Sequence, residues 1–125
     1  MEPPFRKLPP LIEILTETLL PLLDRPFALF GHSLVSLVSF ELARQLRTKH
    51  HAHPVRLFVS AGPAPQIPFR SSPIHDLPER ELSVELRRLN GPPRELLNDK
   101  ELMDIVIPSL RAECALYKSY RYASE

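Results

Sequence analysis

The amino-acid sequence predicts an α/β chain: a strand, a sharp turn, a helix and a second strand, followed by a wholly helical region. Three observations carry this. Four consecutive apolar residues, Phe27 to Phe30, stop at Gly31 and give way at once to a long helix-forming stretch. A second strand-like run, Val55 to Ser60, follows that stretch, at the spacing of a right-handed parallel crossover. Beyond the proline-dense segment Ala61 to Pro73 the apolar residues recur only at helical spacing.

In chain order, Met1 to Lys7 is an irregular lead-in. Leu8, Leu11, Ile12, Leu15, Leu19, Leu22 and Leu23 form one apolar stripe of an amphipathic helix, which Pro21 kinks or tightens near its end. Asp24-Arg25-Pro26 is a turn. Four apolar residues in a row suit a strand buried on both faces, as in a parallel sheet. The next helix is expected over Leu34 to Lys49. Its first half (Leu34, Val35, Leu37, Val38, Phe40) is apolar nearly all round and deeply buried; Glu41, Arg44, Gln45, Arg47 and Lys49 carry its second half into water. Later, Glu79 to Leu89 reads as a helix between Pro78 and Gly91, and a short piece spans Arg94 to Leu97. Asp99 is placed to cap a helix bearing Leu102, Met103, Ile105 and Val106. Pro108 is expected to open a separate last helix with Leu110, Cys114 and Tyr117 on one stripe. Two strands are too few for a parallel sheet open at both edges, so further strands are expected on either side.

Composition narrows the function. A chain of 125 residues allows one ordinary domain, and 43% hydrophobic residues is a globular share. A formal net charge of +1 gives no footprint for nucleic acid or an acidic membrane surface. The longest apolar stretch, Leu11 to Leu23, is interrupted by Glu13, Thr16, Glu17 and Thr18, so no membrane span is expected. The single cysteine, Cys114, excludes an internal disulfide and fits a reducing cytoplasm, and the start Met-Glu-Pro-Pro lacks the features of a signal peptide. Fifteen prolines against three glycines indicate many short, stiff connections.

The chemistry points to Ser33. A strand, Gly31, a serine two residues later and an immediate helix are the parts of a nucleophile elbow. The strand anchors the turn, the turn holds the serine in a strained backbone conformation with its hydroxyl clear, and the helix aims N–H groups at the site. The N–H of Leu34 stands where such a site has one oxyanion donor. The motif Gly-x-Ser-x-Gly is incomplete: Val35 occupies the second glycine position, where helix and strand pack closely and a β-branched side chain must push them apart or find a gap.

Other candidates have plainer readings. His32 is adjacent to Ser33, but neighbours on a tight turn point apart, so it is a packing and hydrogen-bonding residue. His50, His51 and His53 read as imidazoles at a solvated helix C-terminus, metal binding being the other reading. His75-Asp76 resembles a base pair in sequence only; Asp76 is placed to cap a helix. Cys114 reads as a small core residue, and Met103 with its neighbouring leucines as core, the lining of an apolar pocket being the other reading.

With these residues placed, the chain resembles the type II thioesterases that work beside non-ribosomal peptide and polyketide synthases, an α/β-hydrolase family. The resemblance is closest along Asp24-Arg-Pro-Phe-Ala-Leu-Phe-Gly-His-Ser-Leu34. It extends to Phe40-Glu-Leu-Ala-Arg44 and Leu57-Phe-Val-Ser60, and to Leu86-Arg-Arg-Leu-Asn-Gly91 and Pro108-Ser-Leu-Arg-Ala112 in the family's lid. Glu113 stands where a lid aspartate is usual. The resemblance implies a partial α/β-hydrolase domain over 1–125, with an elbow-bearing portion over 1–60 and a loop plus helical lid over 61–125. It implies a serine nucleophile, Ser33, with the Leu34 N–H as oxyanion donor, no cofactor and no metal. It also implies an acyl thioester substrate on the phosphopantetheine arm of an acyl or peptidyl carrier protein. The family's catalytic aspartate and histidine lie in later segments that these residues do not match. A catalytically inactive remnant, or a carrier-protein-binding module, is the alternative.

Overall fold

The computed structural model describes residues 2–68, 77–88 and 93–125. The chain divides into two compact units: Lys7–Phe69 with Tyr120–Glu125, and Met1–Arg6 with Arg70–Ser119. The boundary between Phe69 and Arg70 lies beyond the second strand, and the last six residues belong to the strand-bearing unit.

In that unit, α1 (Leu8–Leu19) runs into a 3₁₀ turn, Leu20–Leu22, as expected from Pro21. Leu8, Ile12 and Thr16 are its buried line. Thr16, which breaks the apolar run Leu11 to Leu23 and is not among the expected stripe residues, lies on the buried line. Its hydroxyl donates to the Ile12 carbonyl at 2.7 Å and accepts from the Gln45 amide at 2.9 Å, so a polar side chain is buried without an unmet group.

Strand β1 (Ala28–His32) is followed by α2 (Leu34–His50) and β2 (Arg56–Ser60). The strands pair in parallel with Leu29 opposite Leu57 and Phe30 opposite Phe58. The Val55 N–H reaches the Phe27 carbonyl at 2.8 Å, one step ahead of the ladder. β1 runs past Gly31 to His32, so the glycine does not end the strand. α2 packs on the Gly31 face, where its first turn comes against the strand backbone. The opposite face carries Phe30 and Phe58, 66% and 56% exposed. Among the described residues the expected burial of both faces is therefore not met: α2 packs on the Gly31 face, where Val59 is still 58% exposed, and pleating sends Phe30 and Phe58 to the other.

Helix α2 buries Leu34, Leu37, Val38, Leu42 and the fully enclosed Leu46, and α1 packs along it. Burying one such leucine stabilises by about 1.5–3 kcal/mol. Val35 departs from the expected deep burial, being 49% exposed. The helix ends at His51, whose φ of 52° is a left-handed cap with its N–H on the Leu46 carbonyl.

The last six residues are held against α2 by Arg44. Its guanidinium donates to Glu41 at 3.1 Å, to Glu125 at 3.1 Å and to the Ala123 carbonyl at 2.6 Å. It also lies 5.4 Å from the ring centroids of both Phe40 and Tyr122. The Tyr120 hydroxyl donates to Glu41 at 2.6 Å, and burial followed by this bond pushes the phenol well above its ordinary range.

The second unit contains α3 (Glu79–Arg88), α4 (Arg94–Leu97) and α5 (Lys100–Ser119). Leu82, Leu86, Leu97, Met103 and Ile107 form its core, with Leu77, Leu96, Leu110 and Cys114 packed against it. Asp99 caps α5 as expected: its carboxylate accepts the Leu102 N–H at 3.1 Å and its carbonyl the Met103 N–H at 2.9 Å. The expected break at Pro108 does not occur, since α5 runs through it. Proline removes one helical hydrogen bond and crowds the preceding turn, costing about 3 kcal/mol in an isolated helix. Here Met103 and Ile107 before it and Leu110 and Cys114 after it lie on one core, and Pro108 itself faces outward. The shared stripe outweighs the lost bond. Gly91, expected after α3, lies outside the described residues.

Candidate active site

Ser33 stands between the last residue of β1 and the first of α2. Its φ of 56° and ψ of −125° are conformations that a side chain with a Cβ adopts only under constraint, at a cost of about 1–3 kcal/mol. The constraint is visible. Its N–H donates to the Ser60 carbonyl at 2.8 Å, tying the turn to the end of β2, and its carbonyl accepts the Ser36 N–H at 3.0 Å. A serine before a helix ordinarily turns its hydroxyl back to cap the first turn. Ser33 makes no such bond and is exposed, so its hydroxyl is not spent on the helix.

Leu34 opens α2, and an N–H in the first turn has no partner within the helix. It belongs to the positive end of a 17-residue helix whose last turn carries the basic residues Arg47, Lys49 and His50. Both predicted site residues thus fall at the carboxyl end of the sheet, one on the turn and one on the helix it opens.

Gly31 explains how the turn closes. A Cβ on it would lie 2.2 Å from the Val35 carbonyl oxygen and 2.7 Å from the Ser36 nitrogen, so only glycine lets α2 start this close to β1. The close approach is made by the backbone of residue 35. The Val35 side chain points outward and half exposed, which is the gap a β-branched residue needs there.

The histidines separate cleanly. The His32 ring nitrogen Nδ1 lies 3.1 Å from the Ser60 hydroxyl, in keeping with a hydrogen-bonding role. His50, His51 and His53 are exposed at the far end of α2, roughly 24 Å along the helix from Ser33. Among the described residues no three of His, Cys, Asp or Glu are grouped to hold a metal ion. His75 and Asp76 lie outside the described residues. Met103 is a core residue, 3% exposed. Burial, and then the charge of Glu113, raise the Cys114 thiol, which makes it a poor nucleophile. Among the described residues no helix is long and apolar enough to cross a membrane.

A parallel strand pair with a serine on a strained strand-to-helix turn, followed by a helical region, defines a serine-elbow protein of the α/β-hydrolase kind. The Thioesterase domain family matches residues 1–125, and the chain belongs to that family. It is 45% identical over 124 residues to the gramicidin S biosynthesis protein GrsT of Aneurinibacillus migulanus, covering 99% of this chain and 48% of that protein. It is 44% identical over 128 residues to the linear gramicidin dehydrogenase LgrE of Brevibacillus parabrevis, covering 100% and 49%. Among solved structures it matches the type II thioesterase BorB of the borrelidin biosynthetic cluster with a TM-score of 0.84 and 33% identity, over 99% of this chain and 50% of BorB. The RedJ thioesterase of the prodiginine pathway in Streptomyces coelicolor matches with a TM-score of 0.87 and 30% identity, over 99% and 49%. The fold is that of the α/β-hydrolase thioesterases, and the chain spans about half the length of the curated relatives it matches.

Two features of the site were not read from the sequence: the side chain of Ser36 and the packing of Gly62 against it. Their only signal was small size at positions whose partners are distant in sequence.

Proposed function

We propose that these residues are the elbow-and-lid portion of a serine thioesterase that hydrolyses acyl groups held as thioesters on the phosphopantetheine arm of an acyl or peptidyl carrier protein. The observation that carries this is the conformation of Ser33: exposed, at φ 56°, at the carboxyl end of β1. The family and the biosynthetic relatives support the substrate class.

In this reading the Ser33 oxygen attacks the thioester carbonyl while a base takes the hydroxyl proton. The Leu34 N–H and a second donor hold the oxyanion. The carbon–sulfur bond breaks, the carrier thiol leaves with a proton, and water then releases the acid from Ser33. His32 and the trio at the far end of α2 are unsuited to serve as the base, which is therefore assigned, with its orienting carboxylate, to polypeptide outside the described residues. The uncovered Phe30 and Phe58 face supports additional polypeptide there. One observation favours the second reading, a carrier-binding module without chemistry: among the described residues no histidine ring is hydrogen-bonded to the Ser33 hydroxyl, and that of the adjacent His32 is turned to the Ser60 hydroxyl.

Thiol release from a short-chain acyl thioester tests both. The 125 residues alone are expected to hydrolyse it no faster than their Ser33→Ala variant. Fused to the flanking segments of a relative such as GrsT, they are expected to turn over with a loss of roughly a thousandfold or more on Ser33→Ala. Absence of Ser33-dependent turnover in the fusion would refute the enzyme and leave the binding module.

A further inference from the structure

We infer that Ser36 is a positioning residue for Ser33: its hydroxyl joins the ends of both strands to the first turn of α2 and so maintains the strained turn. The argument rests on what the side chain touches. Ser36 is 5% exposed. Its Oγ lies 3.0 Å from the Gly31 carbonyl oxygen and 2.9 Å from the Ser60 carbonyl oxygen. A serine in a helix usually turns to the carbonyl three or four residues earlier. This one reaches five residues back, into β1, and across to β2. A hydroxyl has one proton, so the two carbonyls share it, and neither tie is replaced by the helix ladder.

The Ser60 carbonyl is the junction. It accepts both the Ser33 N–H and the Ser36 hydroxyl, so the nucleophile's own backbone and its support converge on one oxygen. Directly after it, Ala61 is also held at positive φ, 54°. Two adjacent strand ends thus leave the sheet through left-handed residues, and Ser36 stands between them. Gly62 completes the set. A Cβ there would meet the Ser36 Cβ at 2.7 Å and its Oγ at 2.9 Å, so a bare backbone is what lets the loop close over the hydroxyl. Strain of this kind persists only where the surroundings over-determine it. The Ser36 hydroxyl is the one side-chain group among the described contacts that bonds to both strand ends.

Residue-resolved amide exchange tests this without requiring activity. Ser36→Ala is expected to speed exchange at the Ser33 N–H by roughly threefold to tenfold, the worth of one net hydrogen bond, while Leu42 and Leu46 in mid-α2 keep their protection. Gly62→Ala, which displaces the hydroxyl without removing it, is expected to give the same local signature. Unchanged exchange at Ser33 in Ser36→Ala overturns the inference whatever Gly62→Ala shows, because a Cβ on Gly62 also comes within 3.1 Å of the Ser33 carbonyl oxygen. Uniform loss of protection through α2, or failure of both variants to fold, also overturns it, because Ser36 would then hold the whole unit and not this turn. The catalytic consequence rests on Ser33 being the nucleophile: in the GrsT fusion, Ser36→Ala is expected to lower kcat about tenfold with KM unchanged. Loss of the Ser33 role shows instead as a Ser33→Ala fusion that keeps its turnover, which leaves the exchange result standing.

Discussion

Around Ser33 every contact has main chain on at least one side: Gly31 against the Val35 carbonyl, the Ser33 N–H on the Ser60 carbonyl, the Gly62 backbone against the Ser36 side chain. In the unit of α3, α4 and α5 the contacts are between side chains: five buried apolar residues, with surface pairs such as Glu85 and Arg88 outside them. The difference teaches where each unit is vulnerable. A side-chain core tolerates a change of shape but not a loss of volume. A junction closed on main chain tolerates neither an added methyl nor a lost hydrogen bond, because the backbone side of each contact has no rotamer to change. The elbow is built in the second way because it must hold a high-energy φ and ψ at one residue.

The largest expected effect that would break this contrast lies in the helical unit. Leu82 is fully buried, and Leu82→Ala is expected to cost about 3–5 kcal/mol, read as lost amide protection in α3 and α5. A cost below about 1 kcal/mol would mean that the cluster is not the support of that unit.

Next in size is Gly31→Ala, which adds one methyl and removes nothing. The clash is with main chain, so relief requires α2 to move off β1. The expected cost is about 2–3 kcal/mol in urea unfolding, with exchange at the Ser33 N–H accelerated beyond the global loss. A neutral substitution would show that the close approach is not what holds the turn.

The smallest effect is a pH dependence at the attachment of Tyr120–Glu125. The Glu125 carboxyl is held below its ordinary value, first by the hydrogen bond from Arg47 and then by that from Arg44. A depressed carboxylate contributes fully above its unfolded value, and the contribution is lost as pH falls through the lower folded value. The Arg44 and Ala123 resonances are therefore expected to be constant at neutral pH and to shift with a midpoint below that of a free glutamate. A midpoint at or above it would show that these ion pairs do not form, which surface pairs often do not.

Much of the elbow was legible because it is local. Strand, glycine, serine and helix follow one another within Phe27 to Leu34, so the turn is read from neighbours in sequence, while Ser60, which holds it, is not among them. The Asp99 cap and the 3₁₀ ending at Leu20–Leu22 were legible for the same reason. Val35 misled because sequence proximity shows that residue 35 approaches the strand but not which of its atoms does. Pro108 misled because its local cost is real, and only the core on both sides of it outweighs that cost.

What the sequence determined by itself is the order of elements as far as the start of α5, the parallel crossover and the place of Ser33 on the turn, since each follows from periodicity or from bonds spanning a few residues. The tertiary structure alone decided that Thr16 is buried with Gln45 as its partner, that Arg44 binds the last six residues, and that Ser36 joins two strands. Each of those depends on a polar group meeting another 24 to 81 positions away. A polar side chain carries no mark in the sequence of whether its partner will be a distant residue or water. That is settled only when packing removes the water.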